Sequence, residues 1–84
     1  MSEVINETTS VITIFNKKSG KTQPWKVRWN GRTYTITKVD FHHAYRKHTT
    51  LFHIFSVSDG NLFFRLSLNT ENLYWTLEEV SDVF

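Results

Sequence analysis

The stretch "VRWNGRTYTITKV", residues 27–39, predicts an antiparallel hairpin. Asn30 and Gly31 separate two runs in which apolar and polar side chains alternate, as they do in a half-buried strand. Asn-Gly is the preferred dipeptide of a type I′ turn, because both central residues of that turn need positive φ. A two-residue loop fixes the register and pairs Trp29 with Arg32. The residues that this register places together on the core face are Trp25, Val27, Tyr34 and Ile36.

The segment "LFHIFSVSDGNLFFRLSL", residues 51–68, predicts a second hairpin. Asp59-Gly60 is a turn dipeptide, and a two-residue loop at this point pairs Ser58 with Asn61. Apolar side chains occur on both faces of the hairpin, so we expect it to lie centrally and to be partly covered on both sides. The residues on its expected core face are Leu51, Phe55, Val57, Leu62, Phe64, Leu66 and Leu68.

Composition assigns the remaining segments. "VITIFN" (11–16) and "LYWTL" (73–77) have the β-branched and aromatic content of strands. Residues 1–10 are polar and have no period that could bury a face, so we expect a flexible leader. "FHHAYRKHTT" (41–50) has no clear period and predicts an irregular strand end followed by a loop or a short helix. "EEVSDVF" (78–84) predicts a terminal helical turn or a tail.

The expected fold is all-β, because strand patterns joined by turn residues cover most of the chain. About six strands in hairpin order predict an antiparallel meander. A chain of 84 residues is long enough for one core, so we expect a single β domain over residues 11–84 after the leader. Small twisted sheets protect their edges by curling, which favours a roll or a small, partly open barrel. The alternative is a flat sheet completed by dimerisation.

The composition excludes several classes of protein. The chain has no Cys, which removes disulfides and thiolate metal sites. No apolar run approaches the ~20 residues that a membrane-spanning helix needs, and residues 1–10 lack the pattern of a signal peptide. We therefore expect a cytoplasmic protein with no membrane partner. The formal net charge of +2 permits an anionic partner without requiring one.

Two short motifs carry a resemblance to a known group of proteins. The first is Trp-x-Gly-Arg-x-Tyr, over residues 29–34, and the second is Trp-x-Leu-x-x-Val-x-Asp, over residues 75–82. In this pair of motifs the chain resembles a family of small bacterial β domains of unknown function, over most of its length from Pro24 onward. The resemblance implies a hairpin that opens the domain and a strand that closes it, and it implies no activity.

No catalytic or metal-binding signature occurs in the sequence. A nucleophile, a base and a group that orients the base are not placed together by any motif, and there is no Gly-rich phosphate loop. Imidazole is a common zinc ligand, but His42 and His43 are adjacent and would point to opposite faces of a strand. His48 and His53 do not complete a recognised spacing. We expect no enzyme activity, no metal and no cofactor.

An interaction module is the expected function, through a protein partner or a homodimer. The apolar residues Phe52, Ile54 and Phe63 lie on the face of the second hairpin opposite its core face, and a partner could cover them.

The alternative is a domain that binds single-stranded nucleic acid, in which bases stack on rings and the phosphate backbone follows positive charge. Basic and aromatic residues are interleaved in this chain, although such a pattern also keeps any half-exposed strand soluble. The candidate contacts are Lys26, Arg28, Tyr45, Arg46, Lys47 and Arg65.

Overall fold

The computed structural model describes residues 2–82, which form eight β-strands and no helix. The expected all-β class is confirmed. The strands are β1 (Ser2–Thr9), β2 (Val11–Asn16), β3 (Lys21–Trp29), β4 (Arg32–Thr35), β5 (Lys38–Lys47), β6 (Thr50–Ser58), β7 (Leu62–Asn69) and β8 (Trp75–Asp82).

The strands form two antiparallel sheets, a five-stranded sheet in the order β1-β8-β7-β6-β5 and a three-stranded sheet in the order β2-β3-β4. The chain passes between the sheets at two corners. At one corner the Arg28 amide donates to the Ser10 carbonyl at 3.0 Å, and at the other the Thr37 amide donates to the Ser58 carbonyl at 2.9 Å. The described strands therefore make a partly open roll, neither a flat sheet nor a closed barrel.

Strand β1 corrects the expectation of a flexible leader. Ser2–Thr9 pairs with β8, and Glu3 lies opposite Val80 while Thr8 lies opposite Thr76. The strand buries little of its own surface, since Ile5 packs on the core while Val4 is 72% exposed. Its order comes from the hydrogen-bond ladder with β8, which hydrophobic periodicity does not report. Met1 of the expected leader lies outside the described residues.

Strand β5 corrects the expectation of an irregular segment at residues 41–50. Lys38–Lys47 forms a ladder with β6, in which His42 lies opposite Phe55 and Tyr45 lies opposite Phe52. The turn that follows places His48 at a φ of 58°. The alternation was hidden because the inward positions of β5 after Val39 carry His42, Ala44 and Arg46 and not large apolar side chains, and of these three His42 lines an open cleft. Together, β1 and β5 account for the two strands beyond the six expected.

The core lies between the two sheets. Val27 and Ile36 contribute from the smaller sheet and the corner that follows it, as the first hairpin predicts, and Tyr34 packs at the edge of the same cluster. The core face predicted for the second hairpin is also confirmed, with Phe55, Val57, Phe64 and Leu66 in the cluster. The buried members of the cluster are Val27, Ile36, Phe55, Val57, Phe64, Leu66, Leu77 and Val80.

Trp25 was wrongly assigned to the core, because its side chain is 41% exposed. The β2–β3 pairing shifts between Ile12, opposite Lys26, and Thr13, opposite Pro24, so Trp25 is the extra residue of a β-bulge. Pro24 takes the buried position instead. A bulge moves the apolar face by one residue, which a strict two-residue period cannot anticipate.

The two predicted turns differ in outcome. Asn30 and Gly31 have φ values of 52° and 73°, and Trp29 lies opposite Arg32, so the type I′ assignment is confirmed. The register predicted around Asp59-Gly60 is wrong, because Ser58 pairs with Phe63. The Asp59 carboxylate accepts hydrogen bonds from the amides of Asn61 and Leu62, which moves the turn forward by one residue. This shift keeps the faces of both strands, so the core prediction survives it.

The end of the described chain is a strand, and the helical turn or tail expected from residue 78 is wrong as far as residue 82. The β7–β8 pairing shifts between Arg65 and Leu66, which allows Leu77 and Val80 to face the core although they are three residues apart. A spacing of three is typical of a helix, and the bulge reproduces it in a strand. Val83 and Phe84, the last residues of the predicted segment, lie outside the described residues.

Candidate functional site

A cleft of about 810 Å³ opens at one end of the roll. Strand β4 pairs only with Lys26–Trp29 of β3, so the other half of the β2–β3 hairpin has no strand from residues 2–82 beside it on that side. One wall comes from this hairpin, with Thr13, Gly20, Lys21, Thr22 and Gln23. The wall from the larger sheet and the turn before β8 contains Val39, His42, His53, Phe55, Leu68, Leu73 and Trp75.

Two histidines meet on the wall that the larger sheet provides. The Nε2 atom of His42 lies 2.8 Å from the Nδ1 atom of His53. One nitrogen must donate and the other accept, so the pair shares a single proton across this contact. The His42 ring also stacks on Phe55, with centroids 4.2 Å apart and planes inclined by 3°. The sequence places His53 on the Phe55 face, but the contact with His42 required the structure of β5.

The pKa of His42 is lowered below its ordinary value of 6.5. The largest cause is partial burial of the ring, which penalises the charged form. The neighbouring His53, His43 and Lys21 lower the pKa further by repulsion between like charges. His42 is therefore mainly uncharged at neutral pH.

The remaining histidines lie apart from this pair. His43 points to the outer face of β5, where its ring packs against Phe41 at 5.1 Å between centroids, and His48 lies in the turn after β5. Within residues 2–82, no group of three or more His, Cys, Asp or Glu side chains could hold a metal ion.

The expected interaction patch of Phe52, Ile54 and Phe63 is not assembled. Ile54 is only 2% exposed, so it cannot serve as a contact residue. Phe52 lies opposite Tyr45 at one end of β6, whereas Phe63 lies opposite Ser58 at the other end. The structure instead places Phe52 in a stack with Tyr45, at 5.3 Å between centroids and 13° between planes.

The expected nucleic-acid contacts are divided between the two sheets. Lys26 and Arg28 flank the buried Val27 and so lie on the outer face of the smaller sheet, where the Lys26 ammonium sits 4.6 Å from the Trp25 ring centre. The outer faces of the two sheets point in opposite directions, because both sheets pack on one core. These two cations therefore lie on a different face of the roll from the candidate contacts on the larger sheet.

The contacts on the larger sheet do not form a basic track either. Tyr45 and Lys47 lie on the outer face of β5, while Arg46 points to the inner side beside Leu51. Arg65 is held by Glu78, with its Nε atom 3.1 Å from the carboxylate. Within residues 2–82, Lys47 is therefore the one candidate cation on this face that has no ion pair, whereas single-strand binders combine aromatic rings with a groove of several positive charges.

Strand β2 is the feature that sequence reasoning missed on the surface. It is an edge strand of the smaller sheet, and its exposed apolar side chains are Ile12 at 52%, Ile14 at 46% and Phe15 at 62%. The pattern of "VITIFN" predicted a strand, but only the sheet order shows that one of its edges has no strand partner in the described range.

No protein family, no curated protein and no solved structure matches this chain. Its function must be inferred from the geometry above. Residues 2–82 contain no helix that is long and apolar enough to span a bilayer.

Proposed function

We propose that this domain is an interaction module that forms a homodimer by pairing the free edge of β2 with the same edge of a second copy. The observation that supports the proposal is the uncharged, apolar character of this edge. An exposed apolar edge strand is a template for pairing with another chain. The proposal replaces the patch around Ile54 with a surface whose side chains are exposed.

A comparison of the four edge strands favours β2. Strand β1 carries Glu3 and Glu7 and an irregular register, and β4 has four residues, one of which is Arg32. Strand β5 carries Lys38, Asp40, Arg46 and Lys47 and is also interrupted by a register shift. Charges, bulges and short length all discourage pairing between edges. Strand β2 has six residues and no charge, and the extra residue of its bulge, Trp25, belongs to β3.

The sequence of β2 is complementary to itself in one antiparallel register. With a two-fold axis at Thr13, Ile12 of each copy lies opposite Ile14 of the other, and Val11 lies opposite Phe15. Opposite residues in an antiparallel pair point to the same face, so apolar side chains meet apolar side chains on both faces. The same surface is used on both copies, which is the isologous arrangement of a two-fold dimer.

Such a dimer would join two three-stranded sheets into one six-stranded sheet. Once β2 is paired, its edge is no longer available to a third copy. Positive charge at the tip of the hairpin opposes the association of further copies, and it comes from Lys17, Lys18 and Lys21. Five paired residues from each copy, 11–15, form a small interface, so we expect a dissociation constant on the order of micromolar or weaker.

Sedimentation velocity over a range of protein concentrations tests the proposal. The wild type is expected to shift from monomer to dimer, whereas Ile14→Lys is expected to remain monomeric because it places a charge against the partner's apolar edge. Val4→Lys is the matched control, since Val4 is an exposed apolar residue on another edge strand. Far-ultraviolet circular dichroism verifies that each variant keeps its strands. A wild type that stays monomeric, or a dimer that persists in Ile14→Lys, contradicts the proposal.

A further inference from the structure

The cleft joins two walls of different chemistry. The wall from the larger sheet presents aromatic and aliphatic surface, with Phe55, Trp75, Leu68 and Val39, and the His42–His53 pair belongs to the same sheet. The facing wall from the β2–β3 hairpin contains Lys21, Thr13 and Thr22, which are a cationic residue and two hydroxyl residues. Ligand pockets in proteins combine largely apolar linings with a few polar groups that fix orientation, and their volumes are about 300–1,000 Å³.

The charge of the lining has one sign. Among the described residues that line the cleft, none is Asp or Glu and Lys21 is the one formal charge, while His42 can add positive charge by taking up a proton. An anionic group is thus complementary to this cleft, and a cation is not. A metal ion is disfavoured for the same reason, and because only two imidazoles converge.

We propose that this cleft binds a small amphipathic carboxylate, with its apolar body against Phe55 and Trp75 and its carboxylate directed to Lys21 and His42. The proposal does not rest on the dimer, because the proposed contacts Phe55, Trp75, Lys21 and His42 lie outside β2, although Thr13 of β2 also lines the cleft.

The histidine pair can respond to such a ligand. If His42 accepts a proton on Nδ1, its Nε2 atom can still donate to His53, so the 2.8 Å contact survives the first protonation. A second proton would place N–H groups on both facing nitrogens and break the contact. A bound carboxylate stabilises the singly protonated pair, and it also offsets the repulsion that His53, His43 and Lys21 exert on His42.

Affinity for a carboxylate should therefore rise on acidification, since binding and protonation favour each other. The charged and titratable groups that act on His42 are His53 beside it, His43 on the opposite face of β5, and Lys21 on the facing hairpin. An uncharged ligand with the same apolar body gains nothing from the extra proton.

Octanoate and 1-octanol are suitable probes, because they share an apolar chain and differ in the charge of the head group. Binding is followed by two-dimensional NMR, using the shifts of the Trp75 indole and the Phe55 amide, at pH 5.5 and pH 7.5. Octanoate is expected to shift both signals and to bind more tightly at pH 5.5. Octanol is expected to bind more weakly, with an affinity that does not depend on pH.

Two lysine variants separate a specific contact from general charge. Lys21→Gln is expected to weaken octanoate about threefold, as for a partly exposed ion pair, and to leave octanol unchanged. Lys17→Gln is the matched control, because Lys17 lies in the loop that leads to Lys21 but does not line the cleft. His42→Phe keeps a ring against Phe55 and is expected to remove the pH dependence.

Three results would overturn the proposal. One is the absence of octanoate-dependent shifts at Trp75 and Phe55. Another is octanol binding as tightly as octanoate, which would leave an apolar cleft without selection for charge. The last is an equal loss in Lys17→Gln and Lys21→Gln, which would indicate attraction to the basic hairpin as a whole.

Discussion

The imidazole of His42 lies flat against the ring of Phe55, with centroids 4.2 Å apart and planes inclined by 3°. The two residues are direct neighbours across the β5–β6 ladder, so the stack follows from the register. The contact takes one face of the imidazole out of water, and this partial burial is the main reason that the pKa of His42 is lowered.

The lowered pKa of His42 makes folding stability depend on pH. The unfolded chain has the ordinary value of 6.5, so below that pH the unfolded state binds a proton that the folded state resists. Stability should therefore fall as the pH decreases through 6.5. We expect a lower Tm at pH 5.5 than at pH 7.5, measured by thermal circular dichroism, and a smaller difference in His42→Phe.

The control for this measurement is His48→Asn. His48 is exposed in a turn with a φ of 58°, and Asn tolerates that conformation, so the variant removes a histidine without removing the stack. It should retain the pH dependence of the wild type. If His48→Asn lost as much of the pH dependence of Tm as His42→Phe does, that dependence could not be assigned to His42.

The turn at Asn30-Gly31 should be sensitive to the shape of its side chains. Gly31 has a φ of 73°, and nothing lies within 4 Å of the position that a Cβ atom would take, so any penalty comes from the backbone. Gly31→Val should cost about 1 kcal/mol or more, because β-branched residues resist positive φ. Gly31→Asn should cost less, since Asn adopts this region readily. Urea unfolding measures both, and equal costs would contradict a backbone origin.

Replacement of the tryptophans should give unequal effects. Trp75 packs on the core and lies 5.7 Å from Phe55 between ring centroids, so Trp75→Ala should destabilise by about 2–3 kcal/mol, somewhat less than a fully buried ring. Trp25 is a bulge residue that is 41% exposed, so Trp25→Ala should cost about 1 kcal/mol or less. Chemical denaturation of both variants tests the contrast. If Trp25→Ala lost more stability than Trp75→Ala, the result would support the placement of Trp25 in the core that the sequence predicted.

Two neighbours in β1 should respond differently to the same substitution. Ile5 packs on the core, so Ile5→Asp places a charge against apolar side chains and should cost about 2 kcal/mol or more. Val4 is 72% exposed, and Val4→Asp should change stability by less than about 0.5 kcal/mol. Urea unfolding provides both values. If both variants were as stable as the wild type, β1 would contribute nothing to the fold.

The parts of the fold that the sequence predicted correctly depend on turn preferences and on the alternation of apolar residues within a strand. Asn30-Gly31 specifies its turn because few residues adopt positive φ, and the turn then fixes the register that buries Val27 beside Ile36. The same logic found the face of Phe55 and Phe64, since alternation by two depends only on the pleat of the strand. These features need information from a few consecutive residues.

Several of the errors arise because the sequence does not show how each strand pairs with its neighbours in the sheet. Trp25 was misplaced by a bulge in its pairing with β2, and Ile54 was misplaced because it is buried on the face of β6 that was expected to be open to a partner. Strand β1 has almost no apolar face, and its order depends on β8 at the other end of the described chain. No local pattern contains this information.

The sequence by itself therefore determined the all-β class, the first turn and most of the core, because each follows from backbone preferences and a two-residue period. Only the tertiary structure decided which edges stay unpaired and where the roll opens. The free edge of β2 exists because β1 turns away to pair with β8, and the cleft exists because β4 pairs with only half of β3. The free edge and the cleft both lie where the pairing between strands ends, and the packing of the two sheets decides where that pairing ends.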